Sequence, residues 1–218
     1  MLKDTRCLQI YAITDRNSIN RGTDGRKITE AVDQAILGGA TIIQIREKHL
    51  NFEDFFNEAI EVKKITDKHN IPLIINDNVQ VALACRADGV HIGQDDMNIV
   101  DARKILGPNA IIGVSATNIK EALEAEKNGA DYLGVGALFP KYMQSKPDAK
   151  CISVEELKII TGMVKIPVVA IGGIKMQTIE KLKNTNIDGV AVISAIFANQ
   201  DIITATQQFV KTAKTVIK

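Results

Sequence analysis

The sequence has no tryptophan, and aromatic residues fill only 4% of its 218 positions. A core must then be assembled from Ile, Val, Leu and Ala, which suit strands buried on both faces. Cysteine is scarce: Cys7, Cys85 and Cys151 lie far apart, without a C-x-x-C pair. That pattern excludes a disulfide scaffold and a structural zinc site, and points to buried, inert thiols in a reducing compartment. Neither sign of charge is in excess, since 27 Lys and Arg stand against 26 Asp and Glu, a formal charge of +1. Without a surplus positive field there is little to hold a polyanion through counterion release, and no nucleic-acid partner is expected. No window approaches the roughly 18 apolar residues of a spanning helix. The opening MLKDTRCLQIYAITDRNSIN carries charge at both ends. The expectation is a cytoplasmic protein with no membrane partner.

What is present is a globular composition, 45% hydrophobic and 24% charged, read as one domain over residues 1–218. Short runs rich in Ile and Val recur at 8–14, 41–45, 72–75, 89–92, 110–114, 132–135, 167–171 and 189–193. Each is apolar on consecutive residues rather than alternate ones, as parallel strands covered on both faces require. Between them lie segments of helical spacing, such as 118–129 and 153–164. The second opens with Ser153 and Glu156 in capping-box spacing, and Gly129 follows the first at the place of a left-handed C-terminal cap. Eight units at about 27 residues each are short but sufficient for a strand, a helix and two loops. The fold class expected is α/β, a single-domain (β/α)8 TIM barrel, with an open doubly wound sheet as the alternative.

A barrel directs attention to the polar residues after each run, because active sites of this architecture collect at the C-terminal strand ends. In order these are Asp15; Gln44, Arg46 and Lys48; Asn76 and Asp77; Gln94, Asp95 and Asp96; Ser115; the 141–146 segment; Gly172 and Gly173; and Ser194. Gln44, Arg46 and Lys48 alternate, so all three face one way, and two adjacent cations there suit a multiply charged anion such as pyrophosphate. Ion pairing with acids such as Glu47 is the structural alternative. Asp77 and Asp96 follow neighbouring strands, where two hard oxygen donors beside phosphate-holding cations suit Mg2+; helix capping by either is the other reading. Gly172-Gly173 and Ser194 stand where barrels hold a phosphate on backbone N–H groups, although a simple turn explains a glycine pair as well. His91, on a strand, reads by itself as a satisfied core histidine rather than a catalyst. His49 and His69 are given no role. The long connection 137–151, with Pro140, Pro147, Lys141, Ser145 and Lys146, has the length of a lid that brings a cation on closure; a solvated loop is the alternative.

Together the strings YAITD (11–15), QIREK (44–48), IND (75–77), DGVHIGQDD (88–96), GVS (113–115), GADYLGVGALFP (129–140), IGGI (171–174) and VAVISAI (190–196) resemble the thiamine-phosphate synthase family, over nearly the whole chain. The resemblance implies a transferase of thiamine biosynthesis. It would join hydroxymethylpyrimidine pyrophosphate to thiazole phosphate, forming thiamine phosphate and pyrophosphate by a dissociative, Mg2+-assisted displacement. By position, Arg46, Lys48, Asn76 and Lys146 would hold the pyrophosphate and Asp77 and Asp96 the Mg2+. Gln44 would contact the pyrimidine, with His91 lining the same pocket. Ser115 would bond the departing pyrophosphate, and Gly173, Ile193 and Ser194 would seat the thiazole phosphate. Where the family reads FPT-x-TK, this chain reads FPKYMQSK. A gapped alignment keeps Ser145 and Lys146 as the hydroxyl and cation, whereas an ungapped one sets Lys141 in place of the first threonine. The partners implied are small-molecule substrates, and assembly into a homo-oligomer is left open. Two other functions share the barrel: a thiazole tautomerase, and a non-catalytic regulatory paralogue that binds the same precursors. Retention of Lys48, Asp77, Asp96 and Lys146 favours the synthase, since isomerising a thiazole needs neither a metal nor a pyrophosphate clamp.

Overall fold

Eight short runs of branched aliphatic residues pair in parallel, each with the next in sequence and the last with the first, closing a (β/α)8 barrel. The computed structural model describes residues 4–22, 25–143 and 151–218. The strands are β1 (Ile10–Ile13), β2 (Ile42–Ile45), β3 (Leu73–Asn76), β4 (Gly89–Ile92), β5 (Ile111–Ala116), β6 (Tyr132–Val135), β7 (Val168–Ile171) and β8 (Gly189–Val192). Closure is carried by Ile10↔Val190, Tyr11↔Ala191 and Ala12↔Val192. The open-sheet alternative is thereby excluded. The described helices are α1 (Arg16–Gly22), α2 (Ile28–Leu37), α3 (Phe52–His69), α4 (Val79–Ala84), α5 (Ile99–Leu106), α6 (Ile119–Lys127), α7 (Val154–Met163), α8 (Ser194–Phe197) and α9 (Ile202–Ala213).

Local chemistry sets where helices begin. Asn51, Asn78, Asn98, Asn118 and Asp201 each accept a backbone N–H from the first turn of the helix they precede. Ser153 and Glu156 make the expected capping box, and Gly129 has φ 92° just past α6. Two expectations need correction. The run at 8–14 starts as a 3-10 turn, Thr5–Leu8, before β1, and the crossover from β7 to β8 carries a 3-10 turn, Ile179–Leu182, where a helix was expected. In that crossover Asn184 and Asn186 turn left-handed at φ 61° and 55°, which interrupts a helical path.

The side chains form two apolar layers. An outer one lies between strands and helices; an inner one, with Tyr11, Ile13, Ile42, Ile74, Tyr132 and Val169, fills the barrel. At the N-terminal face, Asp88, Asp131 and Asp188 accept the backbone N–H groups of Leu73, Ile112 and Val168, tying the mouths of adjacent strands at the end away from the site. These ties serve stability, and they leave the opposite face for chemistry. Among the described residues no helix is long and apolar enough to cross a membrane.

Candidate active site

At the C-terminal mouth lies a cavity of about 660 Å³, lined by residues from all eight strand ends. It brings together Gln44, Arg46, Lys48, Asn76, Asp77, His91, Asp96, Ser115, Gly173, Ile193 and Ser194. Ser145 and Lys146 lie outside the described residues. Ser115, expected after its strand, sits within β5, and its strand position aims it inward beside His91.

Arg46 and Lys48 both line the cavity, as alternation along the β2 end requires. Their acidic neighbours differ from the one considered: Arg46 Nη1 lies 3.8 Å from Asp15 Oδ1, and Lys48 Nζ donates to Asp77 Oδ2. Glu47 turns away to Arg16, at 3.1 Å, because its side chain lies on the opposite face of the strand end. Asp15 is itself fixed by the backbone N–H and hydroxyl of Ser18, at 2.9 and 2.8 Å.

The capping alternative fails for both candidate metal ligands. Asn78 caps α4 and Asn98 caps α5, which releases Asp77 and Asp96 toward the cavity. Asp77 has φ 63°, a left-handed conformation that Asp tolerates better than most residues, and Asp96 accepts the Gly93 N–H at 2.7 Å. Burial raises the proton affinity of Asp96; the Gly93 N–H opposes this, and the neighbouring Asp77 carboxyl adds to it. Two carboxyl groups therefore compete for one space with Lys48 beside them.

Below this charged rim runs a line of polar groups through the buried interior. Gln44 Nε2 donates to Tyr11 Oη at 2.8 Å, Tyr11 Oη lies 2.7 Å from Tyr132 Oη, Tyr132 Oη 2.9 Å from His91 Nδ1, and His91 Nε2 3.0 Å from Ser115 Oγ. His91 is thus a core histidine with both ring nitrogens bonded. Sequence reasoning missed Tyr11 and Tyr132. The available signal was glycine inside strands, which marks close approach: a Cβ on Gly113 would stand 2.0 Å from Tyr132 Cζ, and one on Gly134 2.9 Å from His91 Cε1.

Burial pushes the His91 imidazole down to about 4, despite the Asp96 carboxylate nearby. An unfolded histidine titrates near 6.5, so between roughly pH 6.5 and 4 the unfolded chain binds a proton that the native state refuses. Stability conferred by the neutral ring is full above that window and declines as pH falls through it. The wild type should lose about 3 kcal/mol more than a His91→Gln variant when urea unfolding is compared at pH 7 and pH 4. Equal losses in the two proteins would contradict a buried neutral ring.

On the far side, Gly172 and Gly173 adopt φ 98° and 68°, and Ser194 opens the short α8. The need for glycine has a different cause from the one expected. A Cβ on Gly173 would stand 2.0 Å from the Phe139 carbonyl oxygen, so chain packing against the 137–139 segment demands it, with the backbone still facing the cavity. Beyond Phe139 the chain makes a 3-10 turn, Pro140–Tyr142; Tyr142 and Met143 line the cavity, whereas Lys141 Nζ lies 5.4 Å from the Tyr142 ring centroid. The expectation of buried thiols also needs correction: only Cys85 is buried, Cys7 is intermediate and Cys151 is exposed, because residues 4–7 and 151 belong to surface segments rather than to the core. His69, given no partner, bonds Asp33 at 2.8 Å on the outer surface.

A closed parallel barrel with convergent cations, carboxylates and backbone donors at its C-terminal mouth defines a (β/α)8-barrel enzyme with a cavity built for charged small molecules. The family model for thiamine monophosphate synthase matches residues 10–196, and the chain belongs to that family. It is 50% identical over 199 residues to the thiamine-phosphate synthase of Clostridium tetani, covering 91% of this chain and 92% of the relative. The Clostridium beijerinckii thiamine-phosphate synthase is 51% identical with the same coverage. Among solved structures, the thiamine phosphate pyrophosphorylase of Pyrococcus furiosus superposes with a TM-score of 0.87 at 40% identity, covering 97% of this chain and 98% of that one. The N-acetylmannosamine-6-phosphate 2-epimerase of Clostridium perfringens, at 17% identity and a TM-score of 0.61, shares the fold.

Proposed function

We infer that this barrel condenses hydroxymethylpyrimidine pyrophosphate with thiazole phosphate, releasing pyrophosphate and forming thiamine phosphate. The observation that carries the reading is the convergence of Arg46, Lys48, Asn76, Asp77, Asp96 and Ser115 on one cavity in a chain of this family. The bond between the pyrimidine methylene carbon and the pyrophosphate oxygen breaks, and its electron pair leaves with pyrophosphate. A bond then forms from the methylene carbon to the thiazole nitrogen, whose lone pair is already free. No general base is needed, in keeping with a His91 that has both nitrogens committed to neighbours.

Arg46, Lys48, Asn76 and Lys146 hold the pyrophosphate, Gln44 contacts the pyrimidine above the buried line, and Gly173, Ile193 and Ser194 seat the thiazole phosphate. Lys48 leaves Asp77 for phosphate as substrate enters. Asp77 and Asp96 would hold Mg2+. The donor set fits: two carboxyl groups crowd one place, and burial together with Asp77 raises the proton affinity of Asp96. When bound, that ion supplies charge neutralisation of the departing pyrophosphate. The whole chain acts as one catalytic domain, and a reducing cytoplasmic setting accords with its free thiols.

Stoichiometric pyrophosphate release requiring both substrates tests the reading. Isomerisation of thiazole alone would replace it with the tautomerase, and binding without turnover would replace it with the regulatory paralogue. Ser115→Ala tests the leaving-group contact. A hydrogen bond that strengthens as charge develops on the leaving oxygen acts on the transition state, so kcat should fall about 10- to 100-fold with little change in KM. Normal single-turnover chemistry in that variant would refute the role.

A further inference from the structure

We propose that Gln44, Tyr11, Tyr132 and His91 form a one-way hydrogen-bond relay that makes Ser115 a donor into the cavity, with Tyr11 and Tyr132 as positioning residues. The inference follows from counting protons. Tyr11 and Tyr132 are 1% and 0% exposed. Among the described residues the Tyr11 hydroxyl has two hydrogen-bond neighbours, Gln44 Nε2 and Tyr132 Oη. Gln44 Nε2 can only donate, so Tyr11 Oη accepts there and its own proton goes to Tyr132. Tyr132 then spends its single proton on His91 Nδ1, at 2.9 Å. With Nδ1 accepting, the neutral ring carries its proton on Nε2, which donates to Ser115 Oγ at 3.0 Å. Ser115, already accepting from the ring, is left to direct its own proton into the cavity it lines.

The alternatives fail on the same count. A proton on His91 Nδ1, in a neutral or a charged ring, would send the Tyr132 proton to Tyr11 and strand the Tyr11 proton in the core, a buried donor without an acceptor. Only turning the Gln44 amide to present Oε1 reverses every bond at once. The orientation with Nε2 toward Tyr11 therefore sets the polarity of the whole line, and each bond polarises the next in the same direction. The barrel leaves space for the relay on purpose-shaped strands: β5 and β6 carry Gly113 and Gly134 where the Tyr132 and His91 rings pass.

The proposal rests on the functional reading above only for its kinetic arm. The first measurement is ¹⁵N NMR of histidine-labelled protein near pH 7, with His91 assigned by elimination using His49→Gln and His69→Gln. The expected result is a protonated Nε2 and an unprotonated, hydrogen-bonded Nδ1; a protonated Nδ1, in either ring form, overturns the polarity. The second is a double-mutant cycle in single turnover. Tyr132→Phe should slow bond cleavage about 10-fold with Ser115 present and less than about 2-fold in a Ser115→Ala background, because both act through one hydroxyl. Losses that multiply would overturn the positioning role even with the expected tautomer. If the protein turned out not to release pyrophosphate, the NMR arm would still decide the relay.

Discussion

Replacing Asp77 or Asp96 with asparagine should cut pyrophosphate-releasing turnover by about 100- to 1000-fold, the scale on which removal of a preorganised charge from a leaving-group site is felt. Asparagine keeps the shape and one oxygen but removes the negative charge that draws a hard cation. The fold should survive, because neither aspartate caps a helix: Asn78 and Asn98 do that work. In Asp96→Asn the remaining oxygen can still accept the Gly93 N–H. Melting temperatures within a few degrees of wild type, about 1 kcal/mol or less for a chain of this size, would separate loss of chemistry from loss of structure. The measurement is kcat across a Mg2+ titration, in which each variant should also need more Mg2+ than the wild type to reach half of its own maximal rate. Unchanged turnover in both at limiting Mg2+ would sink the metal assignment, leaving the pair as a counter-charge for Lys48 alone.

That prediction draws on sequence and structure unequally, and the division has physical causes. Strands covered on both faces need unbroken aliphatic runs, so the eight strands were visible as β-branched blocks at 41–45, 72–75 and so on. Their ends were legible to within two residues, since hydrogen-bond pairing and not composition decides where β1 starts and whether Ser115 is inside β5. The β7–β8 crossover misled because a helix was expected in every unit of the barrel, whereas this one carries a 3-10 turn at Ile179–Leu182. Two left-handed asparagines, which spacing does not register, end the path.

For the site, alternation and strand order were enough to gather Gln44, Arg46, Lys48, Asn76, Asp77, Asp96 and Ser115, because a barrel converts consecutive strand ends into neighbours. Who pairs with whom was not legible. Glu47 is next to both cations in sequence but points the other way, whereas Asp15 and Asp77 reach them from adjacent strands. The interior line was hidden for a related reason. Tyr11 and Tyr132 lie within apolar runs and are separated by 121 positions, and their hydroxyls meet only when β1 and β6 face one another across the barrel. A tyrosine in a buried run carries a hydroxyl that needs a partner, and strand glycines at 113 and 134 carry the space for one. Read together, those two facts would have pointed to the relay.

The 137–151 connection is where the motif expected from the resemblance is not met, and it yields the other large effect. Lys146→Ala should lower kcat about 100-fold, whereas Lys141→Ala should change it less than about 3-fold, if Lys146 is the cation that meets developing negative charge when the segment closes. The described part of the connection supports the second half of that contrast. Lys141 Nζ sits near the Tyr142 ring, and it is Tyr142 and Met143 that line the cavity. A cation on the outside of the 3-10 turn can leave without uncovering the pyrophosphate, and the contact of exposed Lys141 with the half-buried Tyr142 ring contributes about 0.5–1 kcal/mol. The ungapped alignment makes the opposite prediction, since it sets Lys141 where a threonine would touch the thiazole phosphate. The two are told apart by which parameter moves. Loss of the leaving-group cation lowers kcat and kcat/KM for the pyrimidine substrate together, while loss of a thiazole-phosphate ligand raises KM for that substrate alone. A larger defect at Lys141, carried by the KM for thiazole phosphate, would overturn the gapped alignment and move the pyrophosphate clamp back onto Arg46 and Lys48.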